Sequence, residues 1–158
     1  MIKQRFKNWL SGAFTLLLFL SLIWGSSSGE IETARNLARR ILGEKNARQF
    51  IFESIPDSTQ DEKFEIVSQN NKILIKGDTP VAMASGLNWY LKYFCNSHIS
   101  WEGKEINLPE ELPKINHSIT KTSTLPYSYY LNYCTFNYTM SFWDWKRWEK
   151  EIDWMALN

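Results

Sequence analysis

Between Tyr127 and Asn158 the chain reads YSYYLNYCTFNYTMSFWDWKRWEKEIDWMALN, whose spacing predicts one strand and one helix with nothing to close them. Trp145, Trp148, Ile152 and Met155 recur at intervals of three, four and three, which places them on a single apolar stripe. Lys146, Arg147, Glu149, Lys150 and Asp153 fall on the other faces. Ser141, followed three residues later by Asp144, resembles a capping box with aspartate in the usual place of glutamate, so the helix is expected to start near Phe142. No glycine or proline follows Met155 to end it. Tyr127 to Tyr133 is rich in tyrosine, which favours a pleated strand. Strand, aromatic loop and amphipathic helix make one βα unit, and a single unit cannot cover its own apolar face. The expectation is the opening of a larger architecture, with further βα segments as packing partners.

The amino terminus carries a different signal. Lys3, Arg5 and Lys7 precede an apolar run from Ala13 to Ile23, and Gly25, Ser26, Ser27, Ser28 and Gly29 supply small residues for cleavage. An apolar run of that length is shorter than the roughly 20 residues of a comfortable membrane span. Residues 1–28 are therefore expected to be a secretory signal peptide, with an uncleaved anchor as the alternative and no stable membrane span. The whole chain has 18 Lys and Arg against 17 Asp and Glu; without Lys3, Arg5 and Lys7 the balance is 15 against 17, a net charge of −2. Such a balance argues against nucleic acid as a partner. Cys95 and Cys134 are too few for a disulfide framework, and whether they pair is open. Asn116-His-Ser and Asn137-Tyr-Thr match the glycosylation acceptor pattern.

Between these ends the pattern is that of a small α/β domain. Ile31, Ala34, Ala38 and Ile41 mark the apolar stripe of a helix that Gly43 ends, with Arg35, Arg39 and Arg40 solvated. A strand is expected at Gln49 to Ser54. Phe64, Ile66, Ile73 and Ile75 alternate across two runs joined at Asn70 and Asn71, which tolerate positive φ, and predict a β-hairpin. Asp78, Thr79 and Pro80 start a second helix, with Ala84, Leu87, Leu91 and Phe94 as its buried stripe. A strand at His98 to Trp101 and a loop from Asn107 to Pro113 follow. Residues 30–120 are thus read as a sandwich with helices on one face of a mixed sheet. The polar stretch from Lys114 to Pro126 is either a linker or an extended crossing strand, and residues 121–158 form the second unit.

Chemistry is sparse within these residues. His98 and His117 stand in different elements with no ligand-like neighbours, so no metal site is expected. No glycine-rich phosphate loop is present, and no cofactor is expected. Asp144 and Glu102 lie beside tryptophans that could raise a carboxyl pKa. Asp144 reads better as a helix-start residue and Glu102 as a turn residue. In a parallel βα architecture, residues just after a strand's carboxyl end face the active site, which is where Asn132, Cys134, Asn137 and Tyr138 fall. Tyr133, Phe136 and Trp143 would be its apolar walls. The polar groups either meet a hydroxylated ligand or satisfy their own loop, and the eight tryptophans of the chain suit either dense packing or sugar stacking.

The run Tyr129-Tyr130-Leu131-Asn132-Tyr133-Cys134-Thr135, with Phe142-Trp143-Asp144-Trp145, Arg147-Trp148-Glu149 and Glu151-Ile152-Asp153-Trp154-Met155-Ala156-Leu157-Asn158, resembles the start of the catalytic barrel of the α-N-acetylglucosaminidases, glycoside hydrolase family 89. Upstream, Ala82-Met83-Ala84-Ser85-Gly86-Leu87-Asn88-Trp89-Tyr90-Leu91-Lys92-Tyr93 resembles the second helix of that family's amino-terminal domain. The resemblance implies an α/β fold: a small α/β sandwich domain followed by the truncated start of a (β/α)8 barrel. At 158 residues the chain is shorter than the roughly 250 of a complete barrel. The resemblance also implies a secreted or periplasmic enzyme, lysosomal in a eukaryote, that releases terminal α-linked N-acetylglucosamine from glycans with retention and without a metal. The family's two catalytic glutamates lie beyond Asn158, so no catalytic residue is assigned here and this chain alone is expected to be inactive. Asn132, Cys134 and Tyr138 carry over as substrate-binding residues. The alternative is a non-catalytic glycan-binding or accessory module.

Overall fold

The structure, a computed structural model, describes residues 28–56, 61–125, 127–130 and 140–158. Helix α1 spans residues 28–42 and ends at Gly43, whose φ of 79° leaves the helix while its N–H still donates to the Arg39 carbonyl at 2.9 Å. A residue with a Cβ is strained at that φ, which is why glycine terminates the helix there. A single turn, α2 (Glu44–Ala47), leads into strand β1 (Phe50–Ser54). Strands β2 (Lys63–Gln69) and β3 (Lys72–Gly77) form the expected hairpin, with Asn70 and Asn71 at φ 49° and 59° as a two-residue left-handed turn requires. Helix α3 (Pro80–Phe94) starts as its sequence predicts: Thr79 Oγ1 accepts from the Ala82 N–H at 3.0 Å, and Pro80 occupies the first turn, where no N–H is missed.

The main sheet has strand order β1-β3-β2-β6, with β6 at Ile119–Thr122. β1 and β3 run parallel and the other pairs antiparallel, so the sheet is mixed. Of the two options open for the Lys114–Pro126 stretch, the crossing strand holds over residues 119–122. Phe50, Phe52, Ile73, Ile75 and Ile66 share one sheet face by register, and they form one buried cluster with Ala34, Leu37 and Ala38 of α1 and Leu87, Tyr90 and Leu91 of α3. Gly86 lets α3 sit close, because a Cβ there would lie 2.9 Å from Ile75 Cγ2 and 3.3 Å from the Phe64 ring. The opposite face carries the Glu65–Lys76 ion pair.

The strand expected over His98 to Trp101 stops at Ile99. β4 (His98–Ile99) pairs only with β5 (Lys104–Glu105), and Ser100 to Gly103 form the turn between them, closed by the Ser100 N–H donating to Gly103 O at 2.8 Å. Trp101 therefore sits at a turn. Three hydrogen bonds fasten this hairpin and the following loop: Lys104 Nζ to the Ile41 carbonyl at 2.8 Å, Asn107 N–H to Ser97 Oγ at 2.9 Å and Tyr90 Oη to the Pro113 carbonyl at 2.8 Å.

The last unit departs from the sequence expectation in two ways. Residues 127–130 form no strand, and Tyr127 and Tyr129 are exposed; a parallel strand needs a neighbouring strand to accept its hydrogen bonds, and none of the described residues supplies one. Residues 131–133, the rest of the expected strand, lie outside the described residues. Helix α4 spans Trp145–Leu157, three residues later than the expected start, because Asp144 is itself the N-cap: its carboxylate accepts from the Arg147 N–H at 2.8 Å. The apolar stripe, which a single βα unit cannot cover by itself, is largely outside, with Trp145 70% exposed, Ile152 44% exposed and Met155 also exposed. Glu151, Asp153 and Leu157 are buried instead, with Trp148 and Trp154 half-buried.

Candidate functional site

Asn132, Cys134 and Tyr138, together with Asn137, lie outside the described residues. Their nearest described neighbours are Tyr130 on one side and Met140 on the other, and Tyr130 leads into a cluster that sequence reasoning missed. At its centre is the Glu151 carboxylate, 1% exposed. The Trp101 indole N–H donates to both its oxygens, at 2.9 and 3.0 Å; the Tyr130 hydroxyl donates to Oε1 at 2.8 Å; and an Arg147 guanidinium N–H donates to Oε2 at 2.8 Å. Three parts of the chain thus converge on one side chain: the β4–β5 turn, residue 130 and α4.

Burying a carboxylate costs free energy unless its lone pairs are filled and its charge is matched. Here each oxygen accepts two hydrogen bonds, and one of the four, to Oε2, comes from the Arg147 cation. Arg147 also lies flat against Trp143, 3.7 Å from the ring centroid, and 5.7 Å from that of Trp101. The Tyr130 ring meets Trp154 edge-on at 5.8 Å, and its hydroxyl pKa is raised, first by the hydrogen bond to Glu151 and then by burial.

A second clasp lies further along α4. Arg40, expected to be solvated, donates from Nε and Nη2 to the two oxygens of Asp153 at 2.7 and 2.6 Å. That fork geometry raises the guanidinium pKa, the hydrogen bond to Asp153 being the largest cause, and Glu149 stands 3.8 Å from Nε. Asn88 of α3 completes the set by donating from Nδ2 to the Leu157 carbonyl at 2.8 Å, one of the acceptors that a helix end leaves open. Side chains of α1, α3 and the β4–β5 turn therefore grip α4 at three levels.

Among the described residues this arrangement positions α4: the Glu151 oxygens accept four hydrogen bonds, and Asp144 is occupied by capping the helix. Glu102, His98 and His117 are exposed. Among the described residues no group of three or more His, Cys, Asp or Glu side chains is placed to hold a metal, and no helix is long and apolar enough to cross a membrane. Cys95 is a free, buried thiol. The only local signal for Glu151 was its spacing four residues after Arg147, a common surface pair; Trp101, fifty positions away, is what makes it a buried one.

Two family models match along the chain. Residues 32–114 match the model of the alpha-N-acetylglucosaminidase (NAGLU) N-terminal domain, and residues 128–158 match that of the NAGLU tim-barrel domain. A family 89 glycoside hydrolase from Clostridium perfringens, solved in complex with 2-acetamido-1,2-dideoxynojirmycin, superposes over 92% of this chain and 17% of its own, with a TM-score of 0.81 and 33% identity. The same bacterial hydrolase, as a variant with two glutamates changed to glutamine and holding its substrate GlcNAc-alpha-1,4-galactose, superposes over 84% of this chain and 16% of its own at a TM-score of 0.77 and 35% identity. The fold is that of the amino-terminal part of a family 89 glycoside hydrolase.

The chain belongs to the alpha-N-acetylglucosaminidase family. Human alpha-N-acetylglucosaminidase is 46% identical over 87 residues, which is 55% of this chain and 12% of that protein. The chain thus spans well under a fifth of the length of these relatives.

Proposed function

We propose that these residues form the amino-terminal domain and the first βα unit of a retaining exo-glycoside hydrolase that releases terminal α-linked N-acetylglucosamine from glycans. The observation that carries the reading is the match of both family domains, in order, along one chain. A bacterial relative holding GlcNAc-alpha-1,4-galactose supports the substrate class. On this reading Asn132, Cys134 and Tyr138 contact the sugar, while the two catalytic glutamates belong to barrel segments other than these 158 residues. The α/β domain contributes by gripping α4 through Glu151, Asp153 and the Leu157 carbonyl, which fixes the first helix of the barrel. The basic, apolar and small-residue succession of residues 1–28 supports export, hence a secreted, periplasmic or, in a eukaryote, lysosomal enzyme.

The test is hydrolysis of an aryl α-N-acetylglucosaminide by this chain and by a version extended through the remaining barrel segments. The extended protein should turn over with the released sugar in the α configuration, and the chain alone should not. Turnover by the chain alone, or none by a folded extended protein, contradicts the reading. In the extended protein Asn132→Ala should lower kcat/KM by about 10- to 100-fold, the loss of one or two sugar hydrogen bonds.

A further inference from the structure

A groove of about 540 Å³ opens at the turn end of the main sheet, between the tip of the β2–β3 hairpin and the 110–114 segment. Its wall carries the amide side chains of Gln49, Gln69, Asn70 and Asn71, none of which hydrogen-bonds to another described group. Lys72 and Lys114 add two positive charges and Glu110 and Glu111 two negative ones, again without forming an ion pair among described residues. A neighbouring groove of about 300 Å³ behaves differently, since the Arg39 and Arg48 guanidiniums that line it are paired with Glu44. The larger groove therefore offers donors and acceptors whose partners are not internal.

We infer that this groove is a second carbohydrate subsite, separate from the barrel loop, which takes a neutral, hydroxyl-rich sugar unit. Amide side chains donate and accept at once, as sugar hydroxyls do. The lining charges cancel, so the groove selects neither an anion nor a cation. The volume falls within the range of small-ligand sites. Asn70 and Asn71 stand on a hairpin turn held in the left-handed region, so their amides are presented from a defined backbone. No lining residue belongs to α4 or to residues 127–143, so the inference goes beyond the proposed catalytic reading and does not depend on it.

The test is an amide-resolved NMR titration of the full 158-residue chain with GlcNAc-alpha-1,4-galactose. Saturable shifts are expected at Gln69–Lys72 and Glu110–Lys114, with half-saturation near a few mM, a weak affinity fitting a groove without an aromatic platform. The double variant Gln69→Ala/Asn71→Gly, in which glycine keeps the positive φ, should weaken binding about tenfold. A second variant, Glu110→Gln/Glu111→Gln, leaves the groove positive and should make glucuronic acid bind better than the disaccharide, the reverse of the native preference. Absence of saturable shifts up to about 50 mM, shifts confined to other residues, or an unchanged preference in a well-dispersed spectrum of the second variant would overturn the inference. A hydrolysis assay does not read this groove, so failure here leaves the catalytic reading standing, and the reverse also holds.

Discussion

The α/β domain and α4 solve burial in opposite ways. In the domain, apolar side chains of α1, α3 and one sheet face meet in a single closed cluster, and its charged residues stay near the surface. Helix α4 turns two carboxylates inward and leaves Trp145, Ile152 and Met155 outside. Its inner face also sets Leu157, which joins the core cluster, and the partly buried Trp154 and Ala156 beside those carboxylates, and donors from Arg40, Trp101, Tyr130 and Asn88 fix its orientation. One molecule thus contains a core that depends on volume and a joint that adds hydrogen-bond direction to apolar contact.

Several substitutions can break that contrast. The largest effect is expected in the closed core: Leu87→Ala removes a fully buried side chain of α3 and should cost about 3–4 kcal/mol of global stability, read by urea denaturation. Glu151→Ala comes next, because it leaves the Trp101 N–H and the Tyr130 hydroxyl without an acceptor; a loss of about 2–3 kcal/mol is expected, confined to release of α4 and visible as protease cleavage within residues 145–157. Arg40→Met keeps the stem and removes the fork to Asp153, and should weaken α4 docking by about 1–2 kcal/mol with the α/β transition unmoved. Ile152→Ser, on the outer face of the same helix, should change stability by less than about 0.5 kcal/mol. An equal response at Ile152 and Glu151 would erase the distinction between the two faces.

Alkaline pH sharpens the core side of the comparison. Burial pushes the Cys95 thiol above its ordinary value of 9.0 and the Tyr90 hydroxyl above its ordinary 10.0. A group with a raised folded pKa contributes stability that is fully present below its unfolded value and lost as pH rises through the folded one. The urea midpoint of the α/β domain should therefore hold from about pH 7 to about pH 9 and fall above it, with Cys95→Ser flattening the early part of that fall.

Local signals made much of the α/β domain legible from sequence. Asn70 and Asn71 mark a two-residue turn whatever surrounds them, Thr79 and Pro80 mark a helix start, and Gly43 marks a helix end, since each acts through its own backbone. The resemblance to family 89 was equally legible, in the tryptophan-rich run that the tim-barrel model also matches. In α4 the spacing shows an apolar stripe but not which face the α/β domain grips. Trp145, Ile152 and Met155 do form a stripe, but its orientation is set by Arg40 and Trp101, which lie more than 40 residues away in sequence. The start of α4 was misplaced because Asp144 competes with Ser141 as cap, and an aspartate caps as well as a serine does. Tyr127 to Tyr130 have strand propensity, but none of the described residues offers them a strand to pair with, and propensity alone does not build a sheet.

Amide hydrogen exchange along α4 tests the polar joint most directly. The account predicts that residues 149–157 of the full chain are protected, and that Arg40→Met raises their exchange about 5- to 30-fold while α3 stays unchanged, a local opening distinct from global unfolding. Exchange in α4 as fast as in an unstructured peptide before any substitution, or a loss of protection that runs equally through α3 and α4, would contradict it.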